Sequence, residues 1–588
     1  MAALVALAVA SSWPGVSNGF TYDDTFIVLN NTAMHDLRNW WRFFGMAYWP
    51  AQWGNDGYRP LTILAYSLEW AAGHGKPWLF HAVNIGMYAA ISVAVFYLAE
   101  TCLPFAAAWV AAALFAVHPV HVEAVASVVG QSELLAALFM IPAVALYIRR
   151  RNAGELSAGS MLTIGALYAA ACLSKENGTV LPALLLAAEM IVVVDSTPLR
   201  ARLLALRPFA LSLALVAVAF LAAHLHANQE ITGFHPYVPF EVLGIGARGR
   251  IFTMAGLVPV WLRLFMWPLH LASEYGPPAY RIATGFQPYQ LPGFIALGGV
   301  LGLGVTAWRR APAVSFGIWV LVIALLPTSN FIVPAGILLS ERTLFMPSVG
   351  AMIALAAIVP WLYWYARTRP VRIAEVAALV AALSFAAWRS MERTRVWKDN
   401  DTLFAATVVD APFVYRSHFM LGAHKLNQRR MIEGEREYQA AIALYDRDPF
   451  VFYSLAEEYR LAGMHKAAVA NYRRALAVDS TMYEAHARLA LSLAGLERWP
   501  EANREAIIAL SEDTRSSQAM LRVIRLAAAA RRSAALVGVH SGESDTVQTA
   551  GKDSRKVPLA MQNPVPPAPV SAAAKNKPPV PQRLTPMP

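Results

Sequence analysis

Three kinds of polar residue stand out in a chain that is otherwise mostly apolar. A carboxylate pair, Asp23-Asp24, follows Thr21-Tyr22. Two histidines and a glutamate fall together in His118-Pro119-Val120-His121-Val122-Glu123. Cations recur as Arg59 in Gly57-Tyr58-Arg59-Pro60, as Lys175 beside Glu176, and as Arg342 beside Glu341. A carboxylate with a like charge next to it in a partly dry site has a raised pKa and can take a proton from a hydroxyl; the plainer role is a helix cap or interfacial solvation. An arginine can fork onto a phosphate or simply snorkel at a membrane edge. The His/Glu cluster invites a metal, but its His-Pro step breaks helix geometry and no second ligand cluster accompanies it. Neutral imidazoles that orient a sugar hydroxyl or a phosphate are therefore expected, and a divalent metal is not favoured. Lys-Glu and Glu-Arg neighbours usually only tie one loop to another.

These residues must be held by membrane helices. The chain has 588 residues, 57% hydrophobic and 15% charged, with mean hydropathy +0.42, whereas globular domains sit near 25% charged. Up to about residue 390 apolar runs follow one another; from Met391 onward the chain reads as polar, amphipathic helix. Cys102 and Cys172 both lie in apolar runs, which excludes a disulfide framework, a CxxC redox pair and a thiolate metal site. The net charge of +11 does not point to nucleic acid, because the arginines sit in short loops beside hydrophobic segments.

Stretches long enough, or nearly so, to cross the hydrocarbon occur near 1–16, 78–98, 104–118, 131–148, 160–173, 179–194, 208–226, 292–308, 313–327, 344–366 and 373–389. The first is short and lacks a basic flank, so the true start is expected upstream of Met1, although Ala8-Val9-Ala10 also resembles a cleavage site. The segment 251–268 carries Arg263 and interfacial tryptophan and is not counted as a crossing; an in-plane or re-entrant helix is expected. With it left out, Arg149-Arg150-Arg151, Arg200/Arg202/Arg207, Arg309-Arg310 and Arg367/Arg369/Arg372 all fall on one side, which the positive-inside rule makes cytoplasmic. The other loops, and everything after 390, then share the outer face. They hold Asp23, Asp24, Arg59, His118, His121, Glu123, Lys175, Glu176, Glu274, Glu341 and Arg342. The expected setting is a bacterial inner membrane with this face in the periplasm.

The soluble region repeats with a period of 34: Leu421, Leu455 and Leu489 align, as do Gly422, Ala456 and Ala490, and Ala441, Ala475 and Ala509. Small residues where two helices touch and large ones between them mark tetratricopeptide repeats, here 415–448, 449–482 and 483–516 after a connector at 391–414. A capping helix is expected at 516–533, within a repeat domain ending near 535, and a proline-rich disordered tail over 536–588. Concave repeat surfaces bind peptides or partner proteins, so the repeats are expected to hold an acceptor protein.

Taken together, the outer residues form a polar crown over a membrane-embedded groove: carboxylate for a hydroxyl, cations for a phosphate. That suits transfer of a sugar from a lipid phosphate to a hydroxyl. The blocks Tyr22-Asp23-Asp24, Tyr58-Arg59-Pro60-Leu61-Thr62, Phe80-His81-Ala82-Val83-Asn84, His118-Pro119-Val120-His121-Val122-Glu123-Ala124-Val125, Ser174-Lys175-Glu176 and Glu341-Arg342-Thr343-Leu344-Phe345-Met346-Pro347-Ser348-Val349-Gly350 resemble, in their order, the transmembrane and tetratricopeptide-repeat O-mannosyltransferases, as a bacterial-type member. The resemblance spans roughly residues 20 to 510. It implies an all-α, multi-pass GT-C-like domain of about 11 to 12 spans followed by an extracytoplasmic α-solenoid. It also implies an inverting enzyme that uses a polyprenyl-phosphate sugar, mannose first, to glycosylate Ser or Thr of proteins, with no cofactor beyond that donor. Carried over, Asp23 or Asp24 is the base; Lys175, Arg342 and Arg59 hold the lipid phosphate; His118, His121 and Glu123, with Glu176 and Glu341, line the sugar and acceptor pocket. Gln131 stands where an arginine is common in related sequences. Two rivals remain: a non-catalytic membrane-anchored repeat scaffold, and a lipid-linked sugar flippase, which would place its ionisable groups at the membrane midplane and not at helix ends.

Overall fold

A computed structural model describes residues 1–50, 56–154, 156–228, 240, 243–365, 368–512, 521, 524–525, 528–529 and 532. Among them the chain is helical and no β-strand forms; two isolated bridges, Tyr275 to Leu339 and Pro278 to Val414, are its only sheet-like pairings. The principal helices of the membrane half are α1 (Ala2–Ser12), α2 (Pro60–Gly73), α3 (Pro77–Ala99), α4 (Phe105–Val117), α5 (Gln131–Asn152), α6 (Ala158–Ser174), α7 (Leu181–Ile191), α8 (Arg207–Asn228), α9 (Ala247–Met266), α10 (Leu291–Thr306), α11 (Pro312–Leu325), α12 (Phe345–Ala356) and α13 (Arg369–Val396). The soluble half follows as α14 (Asn400–Asp410), α15 (Tyr415–Asn427), α16 (Met431–Leu444), α17 (Pro449–Leu461), α18 (His465–Val478), α19 (Tyr483–Gly495) and α20 (Trp499–Glu512).

All eleven expected apolar stretches are helical. Seven helices among the described residues are long and apolar enough to cross a membrane, eight if the bent pair Phe105–Val117 and Pro119–Ala126 is one span. The rest are shorter, because their helices stop where irregular, polar backbone begins. Pro119 ends α4 after 13 residues, and the chain resumes as helix at Val122 at an angle of 49°. Non-helical backbone at such a depth is tolerated only when protein surrounds it, and residues 117–137 are buried almost without interruption. Close backbone approach recurs in the same core. A Cβ added at Gly350 would sit 2.2 Å from the Gly317 carbonyl oxygen, so α11 and α12 can cross only with glycine on both sides.

The segment left uncounted forms α9, a 20-residue helix that also passes the length and composition test for a span. Both of its ends are tied to loops. Arg250 donates to the carbonyl of Ile332 at 2.8 Å, and the carbonyl of Phe265 meets His118 Nε2 at 3.1 Å. Both contacts are with loops that the arginine sorting groups together.

Two of the arginine-flanked loops, those with Arg151 and Arg202, meet on one carboxylate. Arg149 pairs with Glu100, and buried Glu189 takes Arg151, Arg202 and the hydroxyl of Tyr147. Arginines fill the last turn of α5 while Glu133 stands in its first, both complementing the helix dipole.

In the soluble half three helical hairpins start at Tyr415, Pro449 and Tyr483, and their second helices at Met431, His465 and Trp499. The 34-residue spacing is therefore structural. Gly422 faces the ring of Tyr438, where a Cβ would approach to 2.8 Å, and the equivalent Ala456 and Ala490 are fully buried. The expected connector differs: α13 runs on to Val396 and α14 fills most of the remainder, its Leu403 and Phe404 packing with Trp397 against Val122 and Ala126. The capping helix lies mostly, and the tail wholly, outside the described residues.

Candidate functional site

The sequence motifs are cross-linked in space, and each link fixes one functional side chain. After the break at Pro119, Glu123 is buried and accepts from the hydroxyl of Ser340 at 2.7 Å and from the backbone N–H of Arg342 at 3.0 Å. His121 lies 2.7 Å from the hydroxyl of Ser348 through Nε2, while its Nδ1 meets the Phe115 carbonyl and the hydroxyl of Tyr88, both at 3.0 Å. The His-Pro-x-His-x-Glu block thus clamps the Glu-Arg block. His118 accepts from the Val120 N–H and faces the Phe265 carbonyl. Each imidazole has both nitrogens occupied by the protein.

Arg342, so held, reaches Asp23: its Nη1 donates to Asp23 Oδ2 at 2.9 Å, and its Nε lies 3.5 Å from Glu123. Arg59 pairs with Glu176 at 2.9 Å and stacks over the ring of Tyr48 at 4.4 Å. Thr62, from the same block as Arg59, donates to the carbonyl of Ser174 at 2.7 Å, which fixes the turn that carries Lys175. Lys175 is ion-paired to Glu133. The Lys175 ammonium feels both the Arg59 and Arg342 guanidinium groups; burial pulls its pKa down and Glu133 opposes that. Burial would raise the pKa of Glu176, but Arg59 outweighs it and holds the carboxylate below its ordinary value. Tyr48, pushed up to about 12 by burial, senses Arg59, Arg342 and Asp23 at once. Arg342 thus touches Asp23, and Lys175 lies near enough to feel both Arg342 and Arg59.

The two neighbouring aspartates do different things. Asp23 is partly exposed, with Arg342 on one oxygen. Asp24 is fully buried and accepts three hydrogen bonds: from the Thr21 N–H at 3.1 Å, the Ser127 hydroxyl at 3.1 Å and the Val129 N–H at 2.9 Å. Burial pushes its pKa up to about 6 against those backbone donors. The Ser127 turn is itself held by Asn84, whose amide donates to the carbonyls of Val125 and Ser127, which places the Phe-His-Ala-Val-Asn block in the fold. Tyr22, just before Asp23, has φ +53°, a left-handed backbone that costs a tyrosine about 1–3 kcal/mol. Glu341 turns the other way from Arg342, accepting from the Ala272 N–H and the Tyr275 hydroxyl, both at 2.6 Å.

A narrow cleft of about 40 Å³ opens here, lined by Tyr22, Glu123, Ser340 and Arg342 together with Glu274 and Arg416. Sequence reasoning missed Glu133, Asn400 and Arg416. Glu133 had a usable signal, since a lone acid in the first turn of a membrane helix demands a partner; the other two look like ordinary charged or polar residues of a soluble helix. Among the described residues, no three His, Cys, Asp or Glu side chains are grouped as a metal site.

No family model matches the chain. It is 25% identical over 386 residues to protein O-mannosyl-transferase TMTC3 of Mus musculus, covering 60% of this chain and 41% of the relative. It is 24% identical over 474 residues to human TMTC1, covering 73% and 53%. A shorter stretch of 185 residues is 36% identical to Tmtc2 of Drosophila melanogaster, covering 29% and 19%. The chain thus spans about half or less of the length of these relatives. All three are protein O-mannosyl-transferases by name, the family that the motif order resembles.

Proposed function

Proceeding from that similarity, we propose that the chain is a membrane glycosyltransferase that moves a sugar, mannose first, from a polyprenyl phosphate to Ser or Thr hydroxyls of extracytoplasmic proteins. The observation that carries this reading is the Arg342–Asp23 ion pair at 2.9 Å, with Arg59 and Lys175 held on loops that Thr62 ties together. Asp23 is the general base. The acceptor oxygen attacks the anomeric carbon, its proton passes to Asp23, and the carbon–oxygen bond to the phosphate breaks, inverting the centre in a single displacement. The departing phosphate gains negative charge, and cations already in place stabilise it without reorganisation. Glu123, Glu176 and Glu341 hold the cations and their loops. His118 and His121 brace the sugar pocket from behind, and Asp24 fixes the corner on which Asp23 stands. The arginine-rich end faces the cytoplasm, so the site faces outward, into the periplasm of a bacterial inner membrane, where the repeats present the acceptor protein.

The test is label transfer by purified protein in detergent from a panel of radiolabelled polyprenyl-phosphate sugars to a mixed periplasmic acceptor, beside Asp23→Asn. Transfer by the wild type that the variant lacks is expected. No transfer from any donor would refute the reading in favour of a repeat scaffold, and equal transfer by both proteins would remove Asp23 as base.

A further inference from the structure

The corner that carries Asp23 is gripped from the soluble half of the protein. Tyr22 donates its backbone N–H to Oδ1 of Asn400 at 2.8 Å, and its ring meets the edge of Phe404 at 6.1 Å; both partners belong to α14. Its hydroxyl donates to Glu274 Oε1 at 2.5 Å, and the other oxygen of Glu274 receives Arg416 Nε at 2.9 Å, from the first turn of the first repeat. Glu274 and Arg416 are both largely withdrawn from solvent, with side chains 9% and 17% exposed. Tyr22 holds a left-handed backbone that a tyrosine does not adopt unaided, and the bonds that keep it there come from Asn400 and, through Glu274, from Arg416. Asp23 is thus held directly by Arg342 of the membrane half, and its neighbour Tyr22 is held by Asn400 and, through Glu274, by Arg416, which follow the last membrane helix.

From this arrangement we infer that Asn400 and Arg416 are positioning residues for Asp23, and that the cleft Arg416 shares with Ser340 and Arg342 is where the acceptor polypeptide brings its hydroxyl. The second half of this statement rests on the function proposed above; the first half does not. The cleft is lined by Tyr415 and Arg416 of the first repeat and by Tyr22 and Arg342, the chain neighbour and the ion-pair partner of Asp23, so a polypeptide lying along the repeats reaches the residues that flank Asp23 at that seam. Whatever shifts the first repeat shifts Tyr22, and through it the base. A repeat array that only tethered its partner would need no bond to the catalytic corner.

The experiment uses the full chain in detergent with Asn400→Leu, Asn400→Asp and Arg416→Gln. Leucine matches asparagine in size without an acceptor; aspartate keeps one. Hydrogen exchange across residues 19–27 reports the corner directly, with residues 449–512 as the internal control for folding. Steady-state transfer from polyprenyl-phosphate mannose to Ser/Thr-rich synthetic peptides reports its consequence. Expected are faster exchange at 19–27 with unchanged exchange at 449–512, and kcat lower by roughly 10- to 100-fold in Asn400→Leu and Arg416→Gln, the scale of a misplaced reacting group. The donor KM should not move, and Asn400→Asp should behave as wild type. Unchanged exchange at 19–27 in both variants, or equal damage from Asn400→Asp and Asn400→Leu, would overturn the positioning role. Loosened exchange in a protein that transfers no sugar would leave that role standing and sink the proposed function with its acceptor cleft.

Discussion

Replacing Asp23 and Asp24 one at a time with alanine separates chemistry from architecture within two adjacent residues. Asp24→Ala removes the acceptor of three buried donors, the N–H groups of Thr21 and Val129 and the hydroxyl of Ser127. An orphaned buried donor costs about 1–3 kcal/mol. Part of that is offset because the fold no longer buries a carboxylate whose pKa it has pushed up to about 6. The net expectation is a loss of about 3 kcal/mol of stability, the middle of a range of roughly 0–6, with turnover per folded molecule within about tenfold of wild type, that is, within about 1.4 kcal/mol of the activation barrier. Asp23→Ala removes one ion pair at the rim of the site, with Asp23 15% exposed and Arg342 19%. Its stability cost should stay near 1–2 kcal/mol, while loss of the base should lower kcat by about 10²- to 10⁴-fold. The assays are thermal unfolding in detergent and label transfer normalised to folded protein. An Asp24→Ala protein that melts like wild type yet transfers nothing, beside an Asp23→Ala protein that still turns over, would reverse the two roles and refute the burial argument.

Two further outcomes follow from buried charge. Lys175 and Glu133 are 8% and 3% exposed, so Lys175→Met or Glu133→Gln alone should cost about 3–5 kcal/mol by stranding the other charge. The double variant should recover most of that stability yet bind a polyprenyl phosphate poorly; a single variant with wild-type melting and donor KM would contradict the pairing. Glu69, in α2, accepts from the amide of Gln131 at 2.7 Å, and burial pushes its pKa up to about 8 from 4.5. The folded protein therefore keeps a proton that the unfolded chain releases, and stability should fall as pH rises from about 4.5 to about 8. At about 1.4 kcal/mol per unit that amounts to several kcal/mol, and Glu69→Gln should flatten the slope. Melting curves at pH 5 and pH 8 check this, and parallel profiles for the two proteins would rule it out.

Much of the architecture is legible in the chain because it depends on local periodicity. Apolar runs of span length become helices wherever they occur, since backbone in lipid has no other way to satisfy its polar groups. A 34-residue spacing of small and large residues stacks into hairpins because no single hairpin can bury its own face. The arginines sort the loops into two ends, and Glu100, Arg149, Arg151 and Glu189 meet at one of them as that sorting requires. Sequence alone therefore determined most of the helices and the repeats, but it read the helix Pro60–Gly73 as loop and left Ala247–Met266 uncounted among the spans. It did not decide which of the polar residues touch. Asp23 and Asp24 are the same side chain one position apart, yet one lies under the Ser127 turn and the other faces Arg342 from more than 300 residues away. His121 turned inward to Ser348, and Lys175 found Glu133 inside a membrane helix. Those choices depend on how the bent α4 segment, the Glu-Arg loop and the first repeat pack together, and packing is a property of the whole chain that no local pattern encodes.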